Sequence, residues 1–128
     1  MRLLLDTNVA LWAITADDRL GSRAAELIGD RSNGVWVSAA TLWEIAIKHA
    51  LRRGEMPVSA ADARGYFRDA GYGTIGIEAG HVLRVETLPP IHADPFDRVL
   101  VAQALEEGMH LLTRDAVLPE YSDLVIPV

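Results

Sequence analysis

The chain has 128 residues, half of them hydrophobic and 23% charged, with a formal net charge of −6 and no cysteine. This composition excludes a disordered chain, a disulfide framework and a thiolate metal site, and it favours one globular domain over residues 1–128. The sequence has no signal-peptide core and no apolar run near the ~20 residues of a membrane span, so we expect a cytoplasmic protein with no membrane partner.

The predicted elements alternate between strands and helices. In chain order we expect a strand at 2–5, helices at 7–14 and 21–31, a strand at 34–39, helices at 40–53 and 59–71, a strand at 73–77, helices at 78–88 and 94–108, and strands at 110–113 and 124–128. Ser22 and Ser59 are predicted N-caps, and Arg52 and Arg53 fall in a last helical turn before Gly54. This alternation predicts an α/β fold in which helices cover both faces of a parallel sheet.

Two acids directly follow predicted strands. Asp6 comes after RLLL, and Asp115 comes after HLLT in the stretch HLLTRD. Because the carboxyl ends of parallel strands meet at one edge of a sheet, we expect both side chains at the same edge. Each also has a structural interpretation, since Asp6 fits the N-cap of the next helix and Asp115 fits a turn.

Three further acids lie in predicted helices. Glu44 stands in the mainly apolar stretch ATLWEIAIK, where it either faces a polar site or forms a surface ion pair with Lys48. Asp94 fits the N-cap of DPFDR, with Pro95 at the first helical position, and we favour that role for it. Asp97 falls at the third helical position, where a capping-box role and a functional role are compatible.

Four carboxylates brought to one edge would repel one another unless a cation joined them. Hard oxygen ligands favour Mg²⁺ or Mn²⁺ over Zn²⁺, and such sites commonly hydrolyse phosphodiester bonds. The net charge of −6 argues against a nucleic-acid partner. However, eleven of the twelve basic residues are arginines, which bind phosphate well.

These motifs together resemble PIN-domain proteins and, more narrowly, the VapC-type toxins of bacterial toxin–antitoxin pairs. The resemblance rests on LLLDTN, LWEIAIK, HADPFDRVLVAQA, and LLTRD followed by Tyr121, and it extends from about residue 3 to residue 121. It implies a three-layer α/β/α sandwich with a central parallel sheet and Mg²⁺-dependent endoribonuclease activity, with Mn²⁺ as an alternative ion. It also implies an RNA substrate, a cognate VapB-type antitoxin, and a homodimer or a heteromeric complex with that antitoxin.

The same resemblance assigns roles to individual residues. The catalytic and metal-binding positions that it implies are Asp6, Glu44, Asp97 and Asp115. The supporting positions that it implies are Thr7, Asn8, Asp94, Arg98, Thr113 and Arg114. Ala93 departs from the pattern, because relatives often carry a basic residue there, and alanine lacks the charge for that RNA contact.

Several other side chains carry weaker expectations. His92 either contacts substrate or joins a loop network, and we favour the network. We expect structural roles for His81 and His110 and core positions for Trp12, Trp36 and Trp43. The predicted antitoxin surface lies near the third and fourth helices, at Trp43, Tyr66, Phe67 and Tyr72.

Two other functions compete with the nuclease. A non-cleaving regulatory or RNA-binding module of the same fold is the first alternative, and the intact set of acids argues against it. A phosphoacceptor receiver domain is the second. It requires adjacent acids after the first strand and a lysine after a late strand, where this chain has DTN and TRD.

Overall fold

The computed structural model describes residues 1–52 and 56–128. Its strands are β1 (Arg2–Leu5), β2 (Gly34–Ser38), β3 (Gly73–Ile75), β4 (His110–Thr113) and β5 (Val125–Pro127). Its helices are α1 (Thr7–Ile14), α2 (Ser22–Gly29), α3 (Ala39–Ala50), α4 (Ala60–Asp69), α5 (Ala79–Thr87) and α6 (Pro95–Glu107). Two short 3₁₀ helices, Asp18–Leu20 and Leu118–Tyr121, complete these elements.

The five strands form one parallel sheet in the order β3-β2-β1-β4-β5. The central strand β1 is buried on both faces, which explains its continuous run of leucines. Leu4 packs with residues of α5 and α6 on one face, whereas Leu3 and Leu5 pack with residues of α1, α3 and α4 on the other. This confirms the predicted three-layer arrangement with a central parallel sheet.

The sheet order places the ends of β1 and β4 side by side. Leu5 pairs with Leu112, and the backbone N–H of Asp6 donates to the carbonyl of Leu112 over 3.0 Å. Asp6 and Thr113 therefore leave the same edge of the sheet as neighbours. Since function in parallel sheets collects where the strands end, this edge is the place to look for a site.

Some predicted helix ends are wrong. Ser22 is the first helical residue of α2, and the N-cap position belongs to Gly21, whose φ of +78° suits glycine. Helix α3 ends at Ala50, and Arg52 adopts a φ of +51°, so Arg52 does not lie in a last helical turn. The expected positions of Arg53 and Gly54 lie outside the described residues. Ser59 caps α4 as predicted, by accepting a hydrogen bond from the Asp62 N–H over 3.1 Å.

The aromatic residues divide differently from the prediction. Trp43 is 57% exposed, so the expectation that it lies in the core is wrong. Trp12 is half-buried, and Trp36 is half-buried and packs against the core. Phe67 is instead fully buried, with Tyr72 stacked on its ring. The sequence of an amphipathic helix does not show which of its aromatic side chains will be buried, because this depends on how neighbouring helices pack against it. Within the described ranges, no helix has both the length and the apolar character that a membrane crossing requires.

Candidate metal centre

A cavity of about 350 Å³ opens at the carboxyl edge of β1 and β4. Its lining contains all four acids predicted as metal ligands, together with the predicted cap Asp94. The full lining is Asp6, Thr7, Asn8, Glu44, Lys48, Asp94, Asp97, Arg114 and Asp115. Elements far apart in the chain thus bring five acids and two bases to one place.

Asp6 is the most buried of these acids and is only 6% exposed. Its Oδ1 accepts the Val9 N–H over 2.8 Å, which makes it the N-cap of α1. Its Oδ2 accepts the Thr113 hydroxyl over 2.6 Å. Burial nevertheless raises the pKa of the Asp6 carboxyl, because desolvation outweighs the hydrogen bonds that favour its ionised form. The capping role is therefore real, and the carboxyl also lines the cavity.

Glu44 reaches the cavity from α3 and is 8% exposed. Its Oε1 accepts the Thr7 hydroxyl over 2.8 Å, and its Oε2 lies 2.7 Å from Lys48 Nζ. The ion pair with Lys48 exists, but it is not a surface pair, because the carboxylate is buried and turned into the site. Thr7 reaches Glu44 because it is the first residue of α1, which begins directly after β1 and Asp6.

Asp94 and Asp97 line the cavity from the start of α6. Asp94 caps this helix by accepting the N–H groups of Phe96 over 2.8 Å and of Asp97 over 3.3 Å. The Asp94 N–H donates to His92 Nδ1 over 3.0 Å, so it does not bond to the Asp97 carboxyl. The capping box suggested for Asp97 is therefore not formed, because His92 occupies the place of the carboxyl.

Asp97 is the acid whose ionisation the site opposes most clearly. Burial is the largest cause, and the charges of Asp94, Asp6 and Glu44 add to it, whereas His92 acts in the opposite direction. Together these effects raise the pKa of the Asp97 carboxyl to about 7. Repulsion between carboxylates, predicted from the sequence, thus acts on Asp97.

Asp115 forms a turn after β4, as its structural interpretation requires. Its Oδ1 accepts the Val117 N–H over 2.9 Å, and its own N–H donates to Thr113 Oγ1 over 3.0 Å. Its Oδ2 lies 2.9 Å from His92 Nε2. The turn fixes the backbone of Asp115 and directs the carboxylate towards the cavity.

One group of side chains has the spacing of a metal site. This group consists of His92, Asp97 and Asp115. One ring nitrogen of His92 and one carboxylate oxygen of each aspartate all lie within 4.8 Å of one another. In the described parts of the chain, no other three His, Cys, Asp or Glu side chains come this close together. Asp6 and Glu44 line the same cavity without joining this tight group.

His92 was not among the metal ligands predicted from the sequence, although its position two residues before the cap Asp94 was a signal that it lies near the acids. The loop network that we favoured for it is formed, since its backbone N–H donates to the Tyr121 hydroxyl.

The side chains that line the cavity are chemically suited to bind a divalent cation. Among the described residues of the lining, five acids face two bases, Lys48 and Arg114, and a cation would relieve the repulsion that raises the pKa of Asp97. Carboxylate oxygens are the preferred ligands of Mg²⁺ and Mn²⁺. The acids Asp6, Glu44, Asp97 and Asp115 could therefore hold such an ion.

The two arginines expected at supporting positions of the site, Arg98 and Arg114, behave differently. Arg114 lines the cavity, donates to the Arg19 carbonyl over 2.8 Å, and stacks over the Trp12 ring at 5.6 Å. Arg98 instead points away from the lining. Its guanidinium donates to the carbonyls of Val85, Leu88, Pro89 and His92 and to the hydroxyl of Tyr121. Arg98 thus holds the segment between α5 and α6 and does not contact the acids.

Comparisons with known proteins agree with this architecture. A family model described as "PIN domain" matches residues 3–124. No curated protein matches the sequence. A solved structure described as VapBC2 from Rickettsia felis bound to a DNA fragment from their promoter is similar, with a TM-score of 0.68 and 16% sequence identity. The similarity covers 98% of this chain and 96% of that one, and at this identity it supports the fold alone.

Proposed function

Because the chain belongs to the PIN domain family, we propose that it is a Mg²⁺-dependent endoribonuclease that acts as the toxin of a toxin–antitoxin pair, with Mn²⁺ as an alternative ion. Asp6, Glu44, Asp97 and Asp115 are its proposed metal ligands and catalytic residues. A cytoplasmic location belongs to the same proposal.

The observation that carries this proposal is the shared cavity of the four acids. They come from β1, α3, α6 and the turn after β4, and no structural need of one helix or turn explains why all of them face one space. Asp94 adds negative charge next to Asp97. Concentrated charge of this kind costs stability, and proteins keep it where function requires it.

The residues have separable tasks in the proposed reaction. A bound divalent cation supplies Lewis-acid stabilisation of the charge that develops on the phosphate oxygens. Thr113 and Thr7 orient Asp6 and Glu44 by donating hydroxyl hydrogens to them. Lys48 and Arg114 are the positive charges of the lining, and they offset the repulsion between the acids and a phosphate backbone.

Cleavage of total cellular RNA by the purified protein tests the proposal. We expect cuts that require Mg²⁺, disappear with EDTA, and disappear in Asp97→Asn, which removes one charge at almost constant volume. Asp69→Asn is the matched control, since Asp69 lies on α4 with its side chain 77% exposed and away from the cavity. Sequencing of the cleaved ends would identify the RNA.

The outcome also separates the nuclease from its alternative. Cleavage at equal rates by wild type and Asp97→Asn would show that the cavity is not the active site. RNA binding without any cleavage would favour the non-cleaving regulatory or RNA-binding module.

The proposed antitoxin partner needs an apolar surface near the acids. A groove of about 870 Å³ adjoins the metal cavity and shares Asn8, Glu44 and Lys48 with it. Its remaining lining is mixed, with apolar residues beside one hydroxyl and two charged side chains: Leu11, Trp12, Thr15, Asp17, Arg19, Ile47, Met56, Pro57 and Phe96. Of the aromatic cluster predicted for this role, Phe67 is buried in the core and only Trp43 and Tyr66 are well exposed.

We propose that a VapB-type antitoxin covers this groove. In the similar Rickettsia felis structure, the protein is described as a VapBC2 assembly bound to promoter DNA. Co-expression with a small neighbouring reading frame tests the partner, and light scattering tests the proposed homodimer or heteromeric complex. A chain that is harmless to its host, needs no partner and stays monomeric would contradict this part of the proposal.

A further inference from the structure

His92 lies on the segment between α5 and α6, and both its backbone N–H and its backbone carbonyl form hydrogen bonds. Its N–H donates to the Tyr121 hydroxyl over 2.8 Å, and its carbonyl accepts from Arg98 Nη1 at 3.4 Å. Arg98 Nη1 also donates to the same Tyr121 hydroxyl over 3.1 Å. A loop residue fixed in this way has a side chain in a defined place.

The imidazole of His92 faces two of the proposed metal ligands. Its Nε2 lies 2.9 Å from Asp115 Oδ2 and 3.6 Å from Asp97 Oδ2, and its side chain is only 22% exposed. Two chemical roles are open to a nitrogen in this position. It can bind the cation directly, or it can donate a hydrogen bond to a carboxylate that binds the cation.

The other ring nitrogen distinguishes these roles. His92 Nδ1 accepts the backbone N–H of Asp94 over 3.0 Å, so Nδ1 carries no proton. In a neutral imidazole the proton then resides on Nε2, which makes Nε2 a donor and leaves it without the lone pair that a metal requires. The short distance to Asp115 Oδ2 is the hydrogen bond that this tautomer predicts.

We infer that His92 is a positioning residue, which fixes the Asp115 carboxylate for the cation by donating an Nε2–H hydrogen bond, and that it is not itself a metal ligand. This inference rests on the proposed metal site. The carboxylate keeps free lone pairs for a cation, because each of its two oxygens accepts one hydrogen bond, from His92 or from Val117. Arg98 and Tyr121 act indirectly, by forming hydrogen bonds to the backbone of His92.

The tautomer can be tested without any metal. Long-range ¹⁵N–¹H correlation spectra of the metal-free protein, recorded where His92 is neutral, should show an unprotonated Nδ1 and a protonated Nε2. A protonated Nδ1 would overturn the inference. This measurement does not depend on whether the protein is a nuclease, so its failure is distinct from failure of the proposed function.

Mn²⁺ binding followed by electron paramagnetic resonance tests the positioning role. His92→Gln keeps an N–H donor at similar reach, whereas His92→Leu removes it. We expect His92→Gln to bind Mn²⁺ nearly as wild type does and His92→Leu to bind it about 10–100-fold more weakly. Thermal melts in EDTA would check that both variants fold, and His92→Asn would replace His92→Leu if the latter failed, because its shorter donor cannot reach Asp115.

Three outcomes of the Mn²⁺ experiment would contradict the positioning role. The ¹⁴N coupling of a directly bound imidazole in wild type, lost in His92→Gln, would overturn the inference, because His92 would then be a ligand. Equal Mn²⁺ affinity in wild type and His92→Leu would overturn it too. If wild type bound no Mn²⁺, the proposed metal site would itself be wrong, and the positioning role would fall with it.

Discussion

Thr113 donates its hydroxyl hydrogen to Asp6 Oδ2 over 2.6 Å, and thereby joins the ends of two neighbouring strands across 107 positions of sequence. Thr113 is fully buried, and its own Oγ1 accepts the Asp115 N–H over 3.0 Å. One hydroxyl thus fixes both the most buried acid and the turn that carries another. The edge of the sheet is therefore a connected unit.

Thr113→Val should damage this unit, because valine has the same shape as threonine but no hydroxyl. Asp6 loses a donor and the Asp115 N–H loses its acceptor, so we expect a loss of about 1–3 kcal/mol in the free energy of unfolding. Thr113→Ser keeps the hydroxyl and should lose much less. Urea denaturation of both variants is the measurement, and equal destabilisation by Val and Ser would show that the hydroxyl contributes nothing.

Asp97→Asn should stabilise the metal-free protein near neutral pH. It removes a carboxylate whose ionisation is opposed by burial and by neighbouring acids, and Asp97 accepts no hydrogen bond from the described residues. We expect a gain of about 2 kcal/mol, or a melting temperature higher by a few degrees, in EDTA. The stabilising effect of Mg²⁺ should shrink in the same variant.

Asp6 is less suitable for this test. Its carboxylate caps α1 and also accepts from Thr113, and an asparagine has only one oxygen to serve both donors. Asp69→Asn, at an exposed position, should change neither the melting temperature nor the Mg²⁺ shift. A destabilised Asp97→Asn with a full Mg²⁺ shift would contradict the proposed ligand role of Asp97.

The stability of the metal-free protein should fall as pH rises from about 4 to about 7. The pKa of Asp97 is raised from its ordinary value of 3.8 to about 7, and burial also raises the pKa of Asp6. Each of these carboxyl groups stabilises the folded state when it is protonated. Its contribution to the free energy of unfolding is therefore complete below the pKa of the group in the unfolded chain, and it is lost as the pH rises through the pKa of the group in the folded protein. Melting temperatures from pH 5 to 8 in EDTA should decline, and the decline should be smaller in Asp97→Asn. A flat profile in wild type would contradict the raised pKa values.

Arg98→Lys should destabilise the fold, although both side chains are cations. The guanidinium of Arg98 bonds to several backbone carbonyls and to Tyr121 at once, and a single ammonium cannot reproduce that geometry. We expect a loss of about 2–4 kcal/mol in the free energy of unfolding, measured by urea denaturation. Arg64→Lys, at an exposed position of α4, is the matched control and should be near neutral. If Arg98→Lys were equally neutral, the contacts of Arg98 would be unimportant for the fold.

The sequence by itself determined the order of elements and the fold class. The leucine run of β1 and the Asp94-Pro95 start of α6 carry local signals, because an unbroken apolar run is typical of a strand buried on both faces and a helix cap is formed by residues adjacent in the chain. The acids were also identifiable, since strand ends in a parallel sheet converge on one edge. Their assignment as ligands stays a prediction.

Only the tertiary structure decided which partners the side chains meet. His92 and Asp115 are 23 positions apart, and Arg98 was expected near the acids but turns to the segment that carries His92. Likewise Trp43 is exposed and Phe67 buried, although both lie on amphipathic helices. Sequence periodicity fixes which residues share a face of a helix, but the packing of other elements decides what that face touches, and hydrogen bonds over a few ångströms depend on that packing.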